Sequence, residues 1–318
     1  MNPKVSILIP VYKAEDYIGE CLHSVFEQTY ENIEYILVND STPDASMSKV
    51  DETLEKFPNR KAHVVIINNT ENKGIAATRN VLLQNATGDY IYFVDSDDFI
   101  EPDTIETLVR SAIETKSDIV RCDYFKYCDG ISTPVVRKPM SKDEDLLSAC
   151  LSNKYGMESL TFLFIRRDII TLHSLHFPED INGCEDMLMT VKLFYYTNKV
   201  VDIYKPLYHY RIDNVLSITH QPLSFRSHSI KAVQEIKAFL KQEGIENRYH
   251  SELLQLMFTS KQHFLINQSI RDVDTYLSTF PEANHCYHHY NYSMRQKLLF
   301  YLAEKNCRTL LKLITRIL

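Results

Sequence analysis

Several features that define common nucleotide-binding and membrane proteins are missing from this chain of 318 residues. It has only 7 glycines and neither a GxxxxGK[ST] loop nor a GxGxxG loop, so neither a P-loop NTPase nor a Rossmann dehydrogenase is supported. No stretch reaches the roughly 18 uninterrupted apolar residues that a bilayer-spanning helix needs. The 7 cysteines contain no CxxC pair, a pattern that favours reduced thiols over a disulfide framework.

Basic residues are fewer than acidic residues in this chain. The chain carries 42 acidic and 35 basic residues, for a net charge of -7, which argues against nucleic acid as the main partner. The first residues show no charged n-region and no cleavage site, so no signal peptide is expected and the cytoplasm is the expected compartment. Apolar residues make up 44% and charged residues 24%, as in an ordinary globular protein.

The most informative stretch is an apolar, β-prone segment that ends in a cluster of acids. Residues 90–94 predict a buried strand, and Asp95, Asp97 and Asp98 follow directly. Ligands of open α/β sheets bind at the carboxyl ends of the strands. Carboxylates this close repel each other unless a cation or hydrogen-bond donors offset their charge. Taken alone, the cluster has an alternative interpretation as a solvated turn that caps the next helix.

Predicted strands and helices alternate through the first 125 residues. The strands in this part are residues 5–12, 33–38, 63–67, 90–94 and 118–125. This alternation indicates a doubly wound, mostly parallel α/β sheet. Further strands are predicted at residues 160–165, 199–204 and 207–210, and from residue 222 onward only helical periodicity is evident. We therefore predict a sheet domain over residues 1–220 and an α-helical C-terminal extension over residues 221–318.

A second acid, Asp40, follows the second predicted strand. Because the carboxyl ends of parallel strands share one edge of a sheet, Asp40 and the acidic cluster can face one crevice. A small number of hard oxygen ligands favours Mg²⁺ or Mn²⁺, which are usually held by one or two carboxylates together with substrate phosphates. The sequence thus predicts a metal-dependent site for a phosphate-bearing ligand. Turn chemistry before a helix is the alternative for Asp40.

Five blocks of the sequence together resemble glycosyltransferase family 2, whose members have the GT-A fold. They are residues 5–12, 38–44, 72–74 with Arg79 and Asn80, 88–89, and 95–98 with Pro102. Their order and spacing match over about residues 4 to 120. The resemblance implies a nucleotide-diphospho-sugar transferase, usually inverting, that uses a UDP-sugar or another NDP-sugar. It also implies a glycan or lipid-linked acceptor, in surface polysaccharide or glycolipid assembly.

The resemblance implies a nucleotide-sugar-binding half over residues 1–120 and an acceptor-binding half over residues 121–220. In the first half, Pro10, Tyr12 and Asp40 would line the nucleoside pocket, with Asp40 against the base. Arg79 would flank the base or the phosphates, although a surface charge on a helix is the alternative for this residue.

The acidic cluster receives separate roles from the resemblance. Asp95 would reach the ribose, Ser96 would belong to the nucleotide-sugar site, and Asp97 would bind Mn²⁺ or Mg²⁺. Asp98 would lie behind the metal ligand or contact the donor sugar. One departure from the family lies nearby, because many members have glycine where this chain has Ser41.

The second half would supply the catalytic base. Glu185 and Asp186 at a predicted helix start resemble the family's catalytic pair, with Asp186 as the base and Glu185 beside it. Arg211 resembles the residue that closes over the diphosphate, and His209 is a candidate additional metal ligand. The alternatives are acids that compensate the helix dipole for Glu185 and Asp186, and a packed histidine for His209.

Two further expectations concern partners and competing functions. Residues 295–318 predict a basic amphipathic helix, which is typical of peripheral contact with the inner face of the plasma membrane. A helix packed on the rest of the protein is the alternative.

The competing functions are a nucleotidyltransferase, which usually has a Gly-rich loop after the first strand, and a non-catalytic nucleotide-sugar-binding protein.

Overall fold

The computed structural model describes residues 2–141, 144–152, 159–215, 217 and 222–317. Contacts divide the chain into two compact units, one of Met1–Glu144 with Tyr155–Ser217 and one of Asp145–Lys154 with Ile218–Leu318. The predicted boundary at residue 220 lies outside the described residues. Residues 145–154, which the sequence grouped with the sheet, form part of the second unit.

The first unit is built on a mixed sheet of nine strands among the described residues. The strands are β1 (Val5–Val11), β2 (Ile33–Asn39), β3 (Val64–Asn68), β4 (Tyr90–Phe93), β5 (Phe99–Ile100), β6 (Ile119–Cys128), β7 (Ile131–Val135), β8 (Leu163–Arg166) and β9 (Val200–Arg211). Their order is β3-β2-β1-β4-β8-β6-β9-β5, and β7 pairs with β6. Strands β3, β2, β1 and β4 are parallel, whereas β8 runs antiparallel between β4 and β6. The two short strands predicted at residues 199–204 and 207–210 form the single strand β9.

Helices complete both units. Those from the start of the chain to residue 196 are α1 (Ile18–Phe26), α2 (Ser46–Leu54), α3 (Pro58–Lys61), α4 (Ile75–Asn85), α5 (Thr104–Thr115), α6 (Leu146–Leu151), α7 (Arg167–Leu172) and α8 (Glu185–Tyr196). Every residue of β1 is buried, as expected for a parallel strand that is covered on both faces. Helix α1 turns its apolar stripe, which includes Ile18, Leu22 and Val25, toward the same core.

The second unit is helical. Besides α6 it contains α9 (Pro222–Gln242), α10 (His250–Lys261), α11 (His263–Ile266), α12 (Val273–Ser278), α13 (Met294–Glu304) and α14 (Arg308–Ile317). The single helix predicted over residues 295–318 is therefore wrong, because α13 ends before Asn306, which has a left-handed φ of 53°. Such a residue commonly terminates a helix. None of the described helices is both long enough and apolar enough to cross a membrane.

A buried carboxylate joins the amino ends of the sheet strands. Glu34 lies 2.6 Å from Lys4 Nζ and accepts hydrogen bonds from Ser6 Oγ (2.5 Å) and Thr87 N (2.7 Å). Burial alone would raise the pKa of Glu34, but these partners outweigh it and lower the pKa to about 2. Gly88 completes the cluster, because a Cβ there would lie only 2.7 Å from Ser6 N.

We expect Glu34→Gln to lower the free energy of unfolding by about 3 kcal/mol at neutral pH, since an amide lacks the charge and one acceptor. A carboxyl whose pKa is lowered on folding stabilises the protein fully above its unfolded pKa, near 4.5, and loses this effect as the pH falls toward about 2. The difference from the wild type, measured by urea unfolding, should therefore shrink in acid. Glu52→Gln, at an exposed position, is the control, and a difference that persists in acid would contradict the prediction.

Candidate active site

The carboxyl ends of β1, β2 and β4 lie at one edge of the sheet. Strand β1 is the middle one, with Val11 opposite Asn39 of β2 and Leu8 opposite Phe93 of β4. Asp40 and Asp95 follow β2 and β4 and therefore flank the end of β1. This edge brings together the acids that the sequence singled out.

Asp40 is buried, and its carboxylate holds the loop that precedes α4. Oδ1 accepts from Asn69 Nδ2 (2.8 Å) and Lys73 N (2.9 Å), and Oδ2 accepts from Gly74 N (2.9 Å). Gly74 has a φ of 86°, and a Cβ there would collide with the amide of Asn182, so glycine is required. Contact between Asp40 and a nucleotide base stays a prediction.

The turn after β2 explains the departure at Ser41. Ser41 has a φ of 54°, in the left-handed region that glycine occupies without penalty. Asn39 stabilises this turn, because its Oδ1 accepts from Thr42 N (2.9 Å) and its Nδ2 donates to Asn68 Oδ1 (2.9 Å). The serine therefore keeps the backbone conformation that a glycine would adopt at this position.

The remaining residues predicted to bind the nucleotide sugar lie at the same edge or within residues 95–98 between β4 and β5, which we call the acidic loop. Pro10 is buried in β1 opposite Val38, and Tyr12 follows β1 with its side chain exposed. Ser96 is half-buried between the two acids on either side of it. The Lys13 ammonium lies 5.3 Å from the centre of the Tyr12 ring, and contact of Tyr12 with a nucleoside stays a prediction.

Asp97 is half-buried within the acidic loop. Its Oδ2 accepts from Asn214 Nδ2 at 2.7 Å. Burial raises the pKa of Asp97 and the neighbouring Asp95 carboxylate raises it further, while Asn214 opposes the shift. A divalent cation would offset the repulsion between these neighbouring carboxylates, and carboxylate oxygens are the ligands that Mg²⁺ and Mn²⁺ prefer. The Asp97 carboxylate in the acidic loop therefore fits Mg²⁺ or Mn²⁺ as a ligand.

Arg79 connects the acidic loop to the start of α8. The guanidinium is buried, with Nη2 3.1 Å from Asp95 Oδ1 and Nη1 in contact with Glu185 Oε1. Burial alone would lower the pKa of Arg79, but Asp95 and Glu185 raise it overall. Both ends of the guanidinium thus bind carboxylates of the protein. Contact of Arg79 with a base or a phosphate stays a prediction.

Helix α8 begins with the two predicted catalytic acids. Cys184 precedes them with a φ of 63°, and Asp186 Oδ1 accepts from Met187 N at 2.8 Å. Burial raises the pKa of Glu185 and that of Asp186 above their ordinary values, whereas the Arg79 cation opposes both shifts. A carboxylate whose pKa lies closer to neutrality is a more effective proton acceptor.

His209 on β9 is already engaged by the protein. Its Nε2 lies 2.7 Å from Glu101 Oε1 and its Nδ1 lies 2.8 Å from Ser132 Oγ. The ring is stacked between Phe99 and Phe125. Binding a metal would displace one of the two polar partners, so the predicted metal role of His209 finds no support in this geometry.

Arg211, at the end of β9, is anchored to the acidic loop. Its Nε donates to Asp97 O (2.8 Å) and its Nη2 lies 2.5 Å from Glu20 Oε2. The guanidinium lies over the rings of Tyr17 and Tyr127, at 4.8 Å and 4.5 Å from their centres. Contact with a diphosphate stays a prediction for Arg211.

Sequence reasoning missed Glu20, Tyr208 and Asn214 as parts of this region. Tyr208 and Asn214 lie more than a hundred residues from the acids they contact, and Glu20 looks like an ordinary acid in the first turn of α1. In the segment from 208 to 214, the sequence pointed only to His209 and Arg211.

A mixed sheet whose parallel half carries acids after two strands, with Arg79 bridging these acids to a carboxylate-bearing helix, is the arrangement expected of a GT-A glycosyltransferase. The chain belongs to glycosyltransferase family 2, since residues 6–172 match the family described as Glycosyl transferase family 2. The predicted family, fold class and enzyme class are confirmed. Family membership removes the support for a nucleotidyltransferase or a non-catalytic binding protein.

Individual relatives agree with this assignment. The chain is 34% identical over 266 residues to the putative glycosyltransferase EpsH of Bacillus subtilis, covering 79% of this chain and 73% of EpsH. It is 26% identical over 209 residues to the poly(ribitol-phosphate) beta-N-acetylglucosaminyltransferase TarS of Staphylococcus aureus, covering 65% of this chain and 35% of TarS.

Two solved structures share the fold. The structure of S. aureus TarS 1-349 in complex with UDP-GlcNAc has a TM-score of 0.69 at 18% identity, covering 98% of this chain and 90% of the other. The mannosyltransferase PcManGT from Pyrobaculum calidifontis, in complex with GDP-Man and Mn²⁺, has a TM-score of 0.59 at 17% identity, covering 100% and 87%. Likenesses at such low identity establish the fold alone.

Proposed function

We propose that this enzyme transfers a sugar from a UDP-sugar to an acceptor hydroxyl by metal-assisted single displacement with inversion. The observation that carries the proposal is the Arg79 bridge from Asp95 in the acidic loop to Glu185 at the start of α8. This bridge keeps the proposed donor site and the proposed base, Asp186, at one place. The UDP-GlcNAc complex of TarS supports a UDP-sugar as the donor.

On the donor side, Tyr12 would stack on the base, Asp40 would shape the nucleoside pocket, and Asp95 with Ser96 would meet the ribose. Asp97 would hold Mn²⁺ or Mg²⁺. When bound there, such a cation would supply charge neutralisation for the departing diphosphate. The Mn²⁺ in the mannosyltransferase complex supports this choice of ion.

On the acceptor side, Asp186 would take the proton of the attacking hydroxyl. A bond then forms between the acceptor oxygen and the anomeric carbon while the bond from that carbon to the diphosphate oxygen breaks. Because attack and departure occur on opposite faces, the configuration inverts. Glu185, held by Arg79, would keep the start of α8 in place.

A panel of UDP, GDP, CMP and dTDP, each with Mn²⁺ or with EDTA, tests the donor proposal by thermal shift. We expect UDP with Mn²⁺ to stabilise the enzyme most, by about 2.7 kcal/mol at a concentration 100 times its Kd. EDTA should remove most of this effect. Stabilisation by another nucleotide alone would overturn the UDP assignment, and no stabilisation by any nucleotide would overturn the proposed donor site.

We also propose that α13 and α14 contact an anionic lipid surface at the inner face of the membrane, where a lipid-linked glycan acceptor would be reached. Met294, Leu298 and Tyr301 lie on one face of α13 and are exposed, as is Leu313 of α14. The basic residues of these two helices outnumber their single acid, Glu304, in a chain whose net charge is -7. Arg308 and Lys312 of α14 already pair with Asp274, and each other basic residue near such a surface would contribute ~1 kcal/mol.

Co-sedimentation with phosphatidylglycerol vesicles tests this contact. We expect the wild type to pellet with these vesicles and not with phosphatidylcholine vesicles, and a Leu298→Gln, Leu313→Gln double variant to lose most of the binding. Leu172→Gln, an exposed leucine in the first unit, is the matched control and should bind like the wild type. Equal pelleting of the double variant would contradict the proposal.

A further inference from the structure

The phenol of Tyr208 lies inside the acidic loop. Tyr208 is fully buried on β9, and its hydroxyl donates to Asp98 Oδ2 (2.6 Å) while accepting from Asp95 N (3.2 Å). The Asp98 N–H also donates to Asp95 O at 3.0 Å. Because one hydroxyl joins the first and the last residue of the loop, it fixes the distance between them.

The other carboxylate oxygen of Asp98 also binds β9. Its Oδ1 accepts from Arg211 N (2.7 Å), and Arg211 Nε in turn donates to Asp97 O (2.8 Å). Asp98 is only 2% exposed, so its carboxylate is committed to two donors of β9. Strand β9 therefore holds the peptide backbone on both sides of the Asp97 side chain.

We infer that Asp98 and Tyr208 are positioning residues that hold Asp97 in place for the divalent cation, and that neither one contacts the donor. This inference rests on the proposed metal-dependent function. Without these bonds, the repulsion between Asp95 and Asp97 would spread the loop and move the metal-binding oxygen. Groups that orient a metal ligand typically change metal affinity about 10- to 100-fold when they are removed.

A purely structural role for Tyr208 would have a different consequence. Loss of a buried hydrogen bond lowers the free energy of unfolding whether or not a metal is present. A positioning role also raises the Mn²⁺ concentration at which the enzyme responds. The Mn²⁺ titration, rather than stability or activity alone, separates the two roles.

The test is a Mn²⁺ titration of the full chain at saturating UDP, followed by thermal shift. We expect Tyr208→Phe to raise the half-saturating Mn²⁺ concentration about 10- to 100-fold. The full UDP response should return at high Mn²⁺. Asp98→Asn, which keeps the shape of the side chain, should act in the same direction and replaces Tyr208→Phe if that variant does not fold.

Tyr92→Phe is the matched control. Tyr92 is also fully buried, it packs against Tyr208, and its hydroxyl contacts Cys122 Sγ at 3.8 Å instead of the loop. An unchanged Mn²⁺ titration for Tyr208→Phe, or an equal change for Tyr92→Phe, would overturn the inference alone. A wild type without any Mn²⁺ response would overturn the proposed function, and with it this inference.

Discussion

Replacing Asp186 with asparagine should reduce sugar transfer by about 10²- to 10⁴-fold, the usual contribution of a positioned general base. The amide keeps the shape of the side chain but cannot accept the proton of the acceptor hydroxyl. Donor binding should persist, because the acids proposed to hold the nucleotide and the metal lie after β2 and β4. The measurement is kcat/KM for UDP release, with the UDP-dependent thermal shift measured in parallel.

The pH profile adds a second readout for Asp186. Burial raises its pKa above the ordinary aspartate range, and a base works only when it is deprotonated. The wild-type kcat/KM should therefore fall in acid through a pKa higher than that of an exposed aspartate. Glu179→Gln, an exposed acid in the segment before α8, is the control and should keep wild-type activity. Unchanged transfer by Asp186→Asn would remove this residue from the role of base.

Replacing Asp97 with asparagine should abolish the metal-dependent part of UDP binding. Asparagine can still pair with Asn214 but lacks the charge that attracts a divalent cation. A metal that stabilises the departing diphosphate contributes several kcal/mol, so transfer should fall by about 10²-fold or more. The thermal shift with UDP and Mn²⁺ should approach the value measured with EDTA.

The control for Asp97 is Asp129→Asn. Asp129 forms a compact group with Cys128 and Asp213 that also offers possible metal ligands. If Mn²⁺ acts at Asp97, Asp129→Asn should respond to UDP and Mn²⁺ like the wild type. A loss of response in Asp129→Asn, with Asp97→Asn unaffected, would move the metal to the other group.

The ends of β2 and β4 could be predicted because each strand is an apolar run that an acidic residue follows in the sequence. Apolar runs that stop at Asp40 and at Asp95 indicate buried strands that reach solvent, and parallel pairing places both ends at one edge. Glu185 and Asp186 were likewise visible as acids at a helix start. Periodicity and family motifs carry this information without any knowledge of tertiary contacts.

The partners of these acids could not be predicted, because they depend on register between distant strands. The antiparallel pairing of Ile100 with Tyr208 decides that the Tyr208 phenol meets Asp98, and no local pattern encodes that pairing. The sequence left Arg79 as either a surface charge or a nucleotide contact, whereas the structure buries it between Asp95 and Glu185. The break between α13 and α14 at Asn306 could not be predicted either, because apolar residues continue at helical spacing on both sides of it.

We expect the position of β8 in the chain to affect how the protein folds during synthesis. Strand β4 has β1 on one side, and among the described residues its other edge pairs with residues 164–166 of β8. At a synthesis rate of about 5–20 residues per second, this edge stays open for several seconds after β4 emerges. An unpaired strand edge is a template for aggregation. A fragment that ends before β8 would thus contain the acids of the proposed donor site on a sheet with an open edge, and would be poorly suited to folding alone.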